Sequence, residues 1–524
     1  MRFRAGQARD SSPAPPLTAT PRRCRRGLPH EWGPLSKTDA RPGLHPADPQ
    51  SRERDAAKRC NVGFALMSEH SSYNAAFGLA RVLRERGHHP VFFTNDRTVF
   101  AGLVRAQGFE TATIPAGHGS HLAGPGRLPR WRLWQRLQRR AENIRLEQEY
   151  LVDLIRTNAI DLCLLDAVRY DLYPHALALA RAGVPTVLLS YTFASRFASG
   201  HPPVFSSLIP SGTTHPGALS RVRHALLWLW AVAARGHGGA FGRVEYLQLV
   251  ARKWLAQLRN VSFERALRRA GRRSAWSEWQ RRPRIPEIVF GHRALDWPAI
   301  ADDPERCYFG TTDLFRKDAD VAWPAVDPRK PVVYCNLSTI NGFENIVLPG
   351  STRESASADL SARRFRMARR YLDAVLGCFV LRQDWQLLVA CGPFLPSLKA
   401  AGHTANIHLF ERLPQLAVLA RADLAITWGG AGTVRECVNH GVPMVVLPAW
   451  TDQFGNAARV ASRNLGVRGD IFAVTPGKVM DMVERALTDR TIRSSMAQLR
   501  AQCDPAAEMH RLAAFVERHT GLRL

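Results

Sequence analysis

The stretch TWGGAGT, Thr427 to Thr433, has the residue types to hold an anion. An apolar run ends there, three glycines (Gly429, Gly430, Gly432) make a turn, and a helix-like segment follows. Glycines let backbone N–H groups approach a ligand closely. A new helix presents unpaired N–H groups and the positive end of its dipole, which suits a phosphate. Thr433 adds a hydroxyl at the helix start. Glycines also serve any tight turn that needs a positive φ, so the turn by itself leaves both readings open. Trp428 stands at its mouth.

The elements that must position this turn alternate along the chain. Residues 61–67 (NVGFALM) read as a buried strand. Ala76, Leu79, Ala80 and Leu83 form the apolar stripe of a helix that Gly87 ends, and residues 90–94 (PVFFT) read as the next strand. That is a βαβ unit, hence a parallel sheet. The pattern recurs at 160–167, 176–182 and 184–190, with another strand at 287–291. A second series runs through strands at 331–339, 385–392, 406–410, 423–427 and 443–448. Its helices are expected over 362–379 and from Gln415, Thr433, Asn456, Gly477 and Ala506. The expectation is an α/β chain with two Rossmann-like domains facing a cleft, and ligands at the carboxyl ends of the strands. The boundaries read are a disordered basic extension over 1–59, a first domain over 60–301, a polar linker over 302–330, a second domain over 331–505, and a last helix over 506–524.

The formal charge is +27 over 524 residues, much of it in the first sixty residues and between Arg127 and Arg282. Such a surface attracts anionic partners, but no zinc-finger, homeodomain or aromatic-plus-basic motif accompanies it, so no nucleic acid is expected. The nine cysteines are scattered without a CxxC pair, as buried thiols in a reducing compartment would be. The most apolar run, HALLWLWAVAA over 224–234, is about half of the ~20 residues a spanning helix needs. A core helix or an interfacial helix at a membrane surface fits it. The expected location is cytoplasmic, with the inner face of a membrane as the alternative. No His/Cys/Asp cluster has metal-ligand spacing, and neither metal nor cofactor is expected.

The whole stretch over 427–456 resembles the donor-binding signature of family 1 glycosyltransferases, the UDP-glycosyltransferase superfamily, and is closest in kind to its bacterial macrolide members. Gly429, Gly430, Gly432, Thr433, Glu436, Gly441-Val442-Pro443, Pro448, Asp452-Gln453 and Asn456 stand in the family order. Upstream, the segment LPQ ending at Gln415 matches the stretch beside the nucleobase, and CNLST ending at Thr339 matches the first donor strand and turn. The resemblance implies the GT-B architecture and a nucleoside-diphosphate sugar, UDP- or TDP-linked, as donor. It implies that Gly432 and Thr433 hold the diphosphate, Glu436 the ribose, and Asp452 and Gln453 the sugar hydroxyls. Carboxylate and amide groups suit adjacent hydroxyls. Three positions depart from the family: Trp428 replaces a His, Arg412 a Trp, and Ser338 a Gly. Trp428 either donates its indole N–H in place of the His or partly blocks the turn.

The same resemblance implies a catalytic pair in the first domain. His70 lies just past the first strand, and Asp166 ends the strand IDLCLLD. A carboxylate beside an imidazole favours its charged form and raises its basicity. The implied mechanism is one inverting displacement: His70 takes the acceptor proton, the oxygen attacks the anomeric carbon, and the nucleoside diphosphate leaves against the helix at Thr433. Glu69 and Asn74 depart from the family's Gly and Pro in that loop. The aromatic residues over 191–258 suggest a lipophilic hydroxyl-bearing acceptor for a transferred hexose. Two other readings stay open: a nucleotide-sugar epimerase on the same architecture, and a catalytically impaired homologue acting as partner or activator of a glycosyltransferase.

Overall fold

In a computed structural model, the residues described are 59–66, 70–94, 99–113, 149–167, 179, 182–193, 285–316, 324, 326–337, 358–449 and 452–523. All lie in one compact unit spanning residues 57–524. The extension read over 1–59 thus falls outside them apart from Arg59. So do Ser338, Thr339, the aromatic acceptor segment beyond Phe193, and the apolar run at 224–234. Among the described residues no helix is long and apolar enough to cross a membrane.

Two parallel sheets build the unit. The first has seven strands: β1 Asn61–Ala65, β2 His89–Thr94, β3 Glu110–Thr113, β4 Leu162–Asp166, β5 Thr186–Ser190, β6 Glu287–Val289 and β7 Arg306–Tyr308. Their order is β3-β2-β1-β4-β5-β6-β7. The second has six: β8 Val332–Asn336, β9 Gln386–Ala390, β10 Ile407–Phe410, β11 Leu424–Thr427, β12 Met444–Val446 and β13 Gly466–Arg468. Their order is β10-β9-β8-β11-β12-β13. In each sheet the order reverses once, between β1 and β4 and between β8 and β11. Open α/β sheets bind ligands outside the carboxyl ends of the strands at such a point.

The central strands are largely apolar because both faces of the sheets are covered. β4, β8 and β9 are buried at every position. Helix His70–Glu85 lays Tyr73, Phe77 and Leu83 onto one face of the first sheet, with Phe64 and Phe92 stacked at 4.6 Å beneath. Helix Ala358–Leu381 covers the second sheet with Tyr371, Val375 and Phe379. The last helix, Pro505–Thr520, returns to the first sheet: Met509, Leu512, Phe515 and Val516 join the core that contains Val62 and Leu164.

Two boundaries differ from the sequence reading. The first sheet runs on through β7, inside the span read as linker. Only Arg306, Cys307 and Tyr308 pair there, too short a run to show alternation among charged and Pro residues. The first helix begins at His70, so residues 70–74, read as part of a loop, belong to its first turns.

The segment between β7 and β8 is a hub. Thr311 donates from its amide (2.8 Å) and hydroxyl (2.7 Å) to Glu508 of the last helix. The Thr312 hydroxyl donates to the Ala75 carbonyl at 2.7 Å. Asp313 accepts from Arg435 at 2.9 Å and Asn439 at 2.7 Å. A second buried pair joins Asp296, before β7, to Arg459 at 2.6 Å, whose guanidinium lies 4.8 Å from the ring centres of Phe193 and Trp297.

Candidate functional site

β11 delivers the glycine turn to the carboxyl end of the second sheet. Gly429 has φ +84°, and a Cβ there would come within 2.5 Å of Val446 Cγ1, so this position admits only glycine. Its amide donates to the Thr427 hydroxyl at 3.2 Å. Gly430 (φ −59°, ψ 140°) caps helix Ala431–His440 without any side-chain hydrogen bond to the first amides. The early N–H groups of that helix are therefore left to another partner. A Cβ on Gly432 would meet nothing within 4 Å, so open space lies beside those amides.

Asn456 fastens the turn from behind. Its amide donates to the Gly429 carbonyl at 2.9 Å and to Asp452 Oδ2 at 2.8 Å. Gln453 accepts from the Ala449 amide at 2.9 Å. Asp452 and Gln453 are buried and serve the loop's own geometry through these contacts.

Trp428 is not at the mouth of the turn. It is fully buried in the core of the second sheet, edge-on to Tyr371 with ring centres 5.8 Å apart. An indole gains more by burying its large apolar body under helix Ala358–Leu381 than by standing in a solvated turn. It neither blocks the turn nor takes the place of the family's His.

Glu436 lies one turn into the helix and is only 4% exposed, so it is not on a solvated helix face. Its Oε1 accepts from Arg316 at 2.9 Å and its Oε2 from Gln415. Burial raises the Glu436 carboxyl above its usual range, and Arg316 opposes that. Gln415 also donates to the Thr433 hydroxyl at 3.3 Å and accepts from Asn336 at 2.8 Å and the Tyr334 hydroxyl at 3.2 Å. The structure thus gathers Gln415, Thr433 and Glu436 into one network at the switch point of the second sheet. Asn336 and Arg316 belong to it and were not read from the sequence. A polar residue ending the buried run VVYCN was the available signal for Asn336; Arg316 carried none.

On the first sheet, register places Ala65 beside Leu165. Asp166 at the end of β4 and His70 just beyond β1 therefore sit at that sheet's switch point. Asp166 is fully buried and accepts from the Ser72 hydroxyl at 3.4 Å. His70 is half-buried, its ring 5.0 Å from that of Phe100.

Two α/β domains, each with polar groups at its switch point, define the GT-B class of fold. The comparisons agree. Residues 398–510 match the family described as "Erythromycin biosynthesis protein CIII-like, C-terminal domain". The NDP-glycosyltransferase YjiC of Bacillus subtilis (strain 168) is 31% identical over 134 residues, which is 26% of this chain and 34% of that protein. The oleandomycin glycosyltransferase of Streptomyces antibioticus is 31% identical over 121 residues, 22% of this chain and 28% of that one. These matches span about a third or less of either relative. The crystal structure of CalG4, the calicheamicin glycosyltransferase, superposes with a TM-score of 0.58 at 20% identity, covering 88% of this chain and 99% of that one. The stretch over residues 398–510 is thus similar to glycosyltransferases, and the chain as a whole has the GT-B fold.

Proposed function

We propose that the protein is an inverting glycosyltransferase that moves a hexose from a UDP- or TDP-sugar to a hydroxyl of a lipophilic small molecule. The observation that carries this is the helix at Ala431, opened by the positive-φ Gly429, uncapped by any side chain, and flanked by the network of Gln415, Thr433 and Glu436. Such a site fits a diphosphate at the helix amides and ribose hydroxyls at Glu436. Binding the ribose exchanges the contacts of Glu436 with Arg316 or Gln415 for hydroxyl contacts. Asp452 and Gln453 lie at the start of the next helix and would meet the sugar. Thr339, outside the described residues, is retained as a donor contact on resemblance alone.

Catalysis falls to His70 as general base, with Asp166 stabilising its imidazolium. The leaving diphosphate is stabilised by amides already fixed in place, so no reorganisation is needed as charge develops. This reading calls for no metal. Oleandomycin glycosyltransferase and the demethyllactenocin mycarosyltransferase of Streptomyces fradiae, by their names, suggest a natural-product acceptor. The family match within the donor half favours transfer over epimerisation.

The test is thermal stability at fixed salt with uridine, thymidine and guanosine diphosphates. A diphosphate at about a hundred times its dissociation constant adds roughly 2.7 kcal/mol to the folded state. One of the three should raise Tm. His70→Ala should keep that rise while lowering transfer by about 100-fold or more. No rise at millimolar diphosphate would remove the transferase reading. It would favour the non-catalytic partner, which the existing pairing of Glu436 with Arg316 and Gln415 also suits.

A further inference from the structure

The carboxyl end of β5 carries a polar group that the family signature does not use. Tyr191 follows Ser190, is 6% exposed, and stacks on Phe290 with ring centres 5.3 Å apart. Its hydroxyl is buried without a hydrogen-bond partner. An unsatisfied buried hydroxyl is costly, so it marks a position whose partner arrives later or moves.

Register says where the hydroxyl belongs. Asp166 pairs with Leu189 across β4 and β5. Paired residues of a parallel sheet share a face, and residues two apart on a strand share it too. Leu164, Leu189 and Tyr191 all enter the core under helix His70–Glu85, so Asp166 and Tyr191 project to that same face. Among the described residues, the polar groups brought to this corner are His70, Ser72 and Tyr73 of the helix, Asp166 and Tyr191. The Asp166 charge is felt at Tyr191, where burial first and then Asp166 push the phenol well above its usual range.

We propose that Tyr191 is a positioning residue of the acceptor-side site, its hydroxyl donating to the Asp166 carboxylate as that carboxylate holds the protonated His70. The inference rests on the catalytic assignment above. The Ser72 hydroxyl donates to Asp166 at 3.4 Å, and an ionised carboxylate, with two oxygens and several lone pairs, accepts from more than one donor at once. Catalytic hydrogen bonds are often loose in the free enzyme and tighten when substrate binds. The donated bond would moderate the hold of Asp166 on the imidazolium and so keep the His70 proton transferable.

Tyr191→Phe removes the hydroxyl and keeps the ring. Its transfer rate should fall about tenfold, and in an Asp166→Asn background it should fall no further. His70, followed by NMR of histidine-labelled full-length protein and assigned with His70→Gln, should titrate at higher pH in Tyr191→Phe. The unshared carboxylate then holds the imidazolium more tightly. An unchanged His70 titration, or equal losses in the two backgrounds, overturns the proposal. A wild-type protein without transfer, or a His70→Ala variant that transfers normally, sinks the catalytic assignment instead, and the titration still decides the coupling of Tyr191 to Asp166.

Discussion

Gly429 and Trp428 are neighbours with opposite demands. Gly429 sits where a side chain would meet both a positive φ and Val446, whereas Trp428 turns its whole indole into the core. Gly429→Ala should cost about 2 kcal/mol or more, from left-handed backbone strain plus displacement of Val446. Denaturant titration measures that loss, and the same variant should lose the Tm rise with a nucleoside diphosphate. At this scale the sequence showed the turn and its helix, because glycines after an apolar run are a local signal. It did not show which way Trp428 faces. That is settled by Tyr371, 57 residues earlier, on a helix whose packing no local pattern reveals.

Secondary elements were legible where they were long or uniformly apolar. β1, β4, β8 and β9 read as buried strands because both faces are covered and every interior position is apolar or small, the polar residues Asn61, Asp166, Asn336 and Gln386 standing at their ends. Shorter pieces escaped, among them β7, β13 and helix Arg490–Ala501, whose buried residues Ile492, Met496 and Leu499 are widely spaced among polar ones. Caps set the edges that periodicity blurs. Asp504 accepts from the amides of Ala506 and Ala507, both at 3.0 Å, and starts the helix that returns to the first sheet. Asp504→Ala should lower stability by about 1 kcal/mol, read as a drop in Tm, while leaving the diphosphate site intact. The catalytic candidates were legible only as a resemblance. Asp166 is one acidic residue ending an apolar strand, and its meaning depends on β1 lying alongside.

On the scale of the molecule, buried polar pairs join what the sequence separates into two domains and a linker. His292 lies in that buried zone, 3.9 Å from Glu508 and beside Cys503 at 3.7 Å. Burial, the largest cause, lowers its imidazole from 6.5 to about 4. The folded state therefore keeps His292 neutral while the unfolded chain takes up a proton below pH 6.5. Its contribution is complete above pH 6.5 and is lost as pH falls towards 4, roughly 3 kcal/mol in all. Glu508 acts in the other sense, because its raised carboxyl binds a proton more readily when folded. The comparison of two proteins isolates the imidazole: below pH 6.5, Tm should fall more steeply in the wild type than in His292→Gln.

The seven residues Gly310–Arg316 have a further consequence. They bond at once to helix His70–Glu85, to helix Ala431–His440 and to the last helix. Melting either half therefore leaves Asp313, Arg435 or Glu508 as a stranded ion in the other, which is a steep penalty. The two halves should share one thermal transition despite having separate cores. Scanning calorimetry should show a single endotherm whose van't Hoff and calorimetric enthalpies agree, and Asp313→Asn should split it in two.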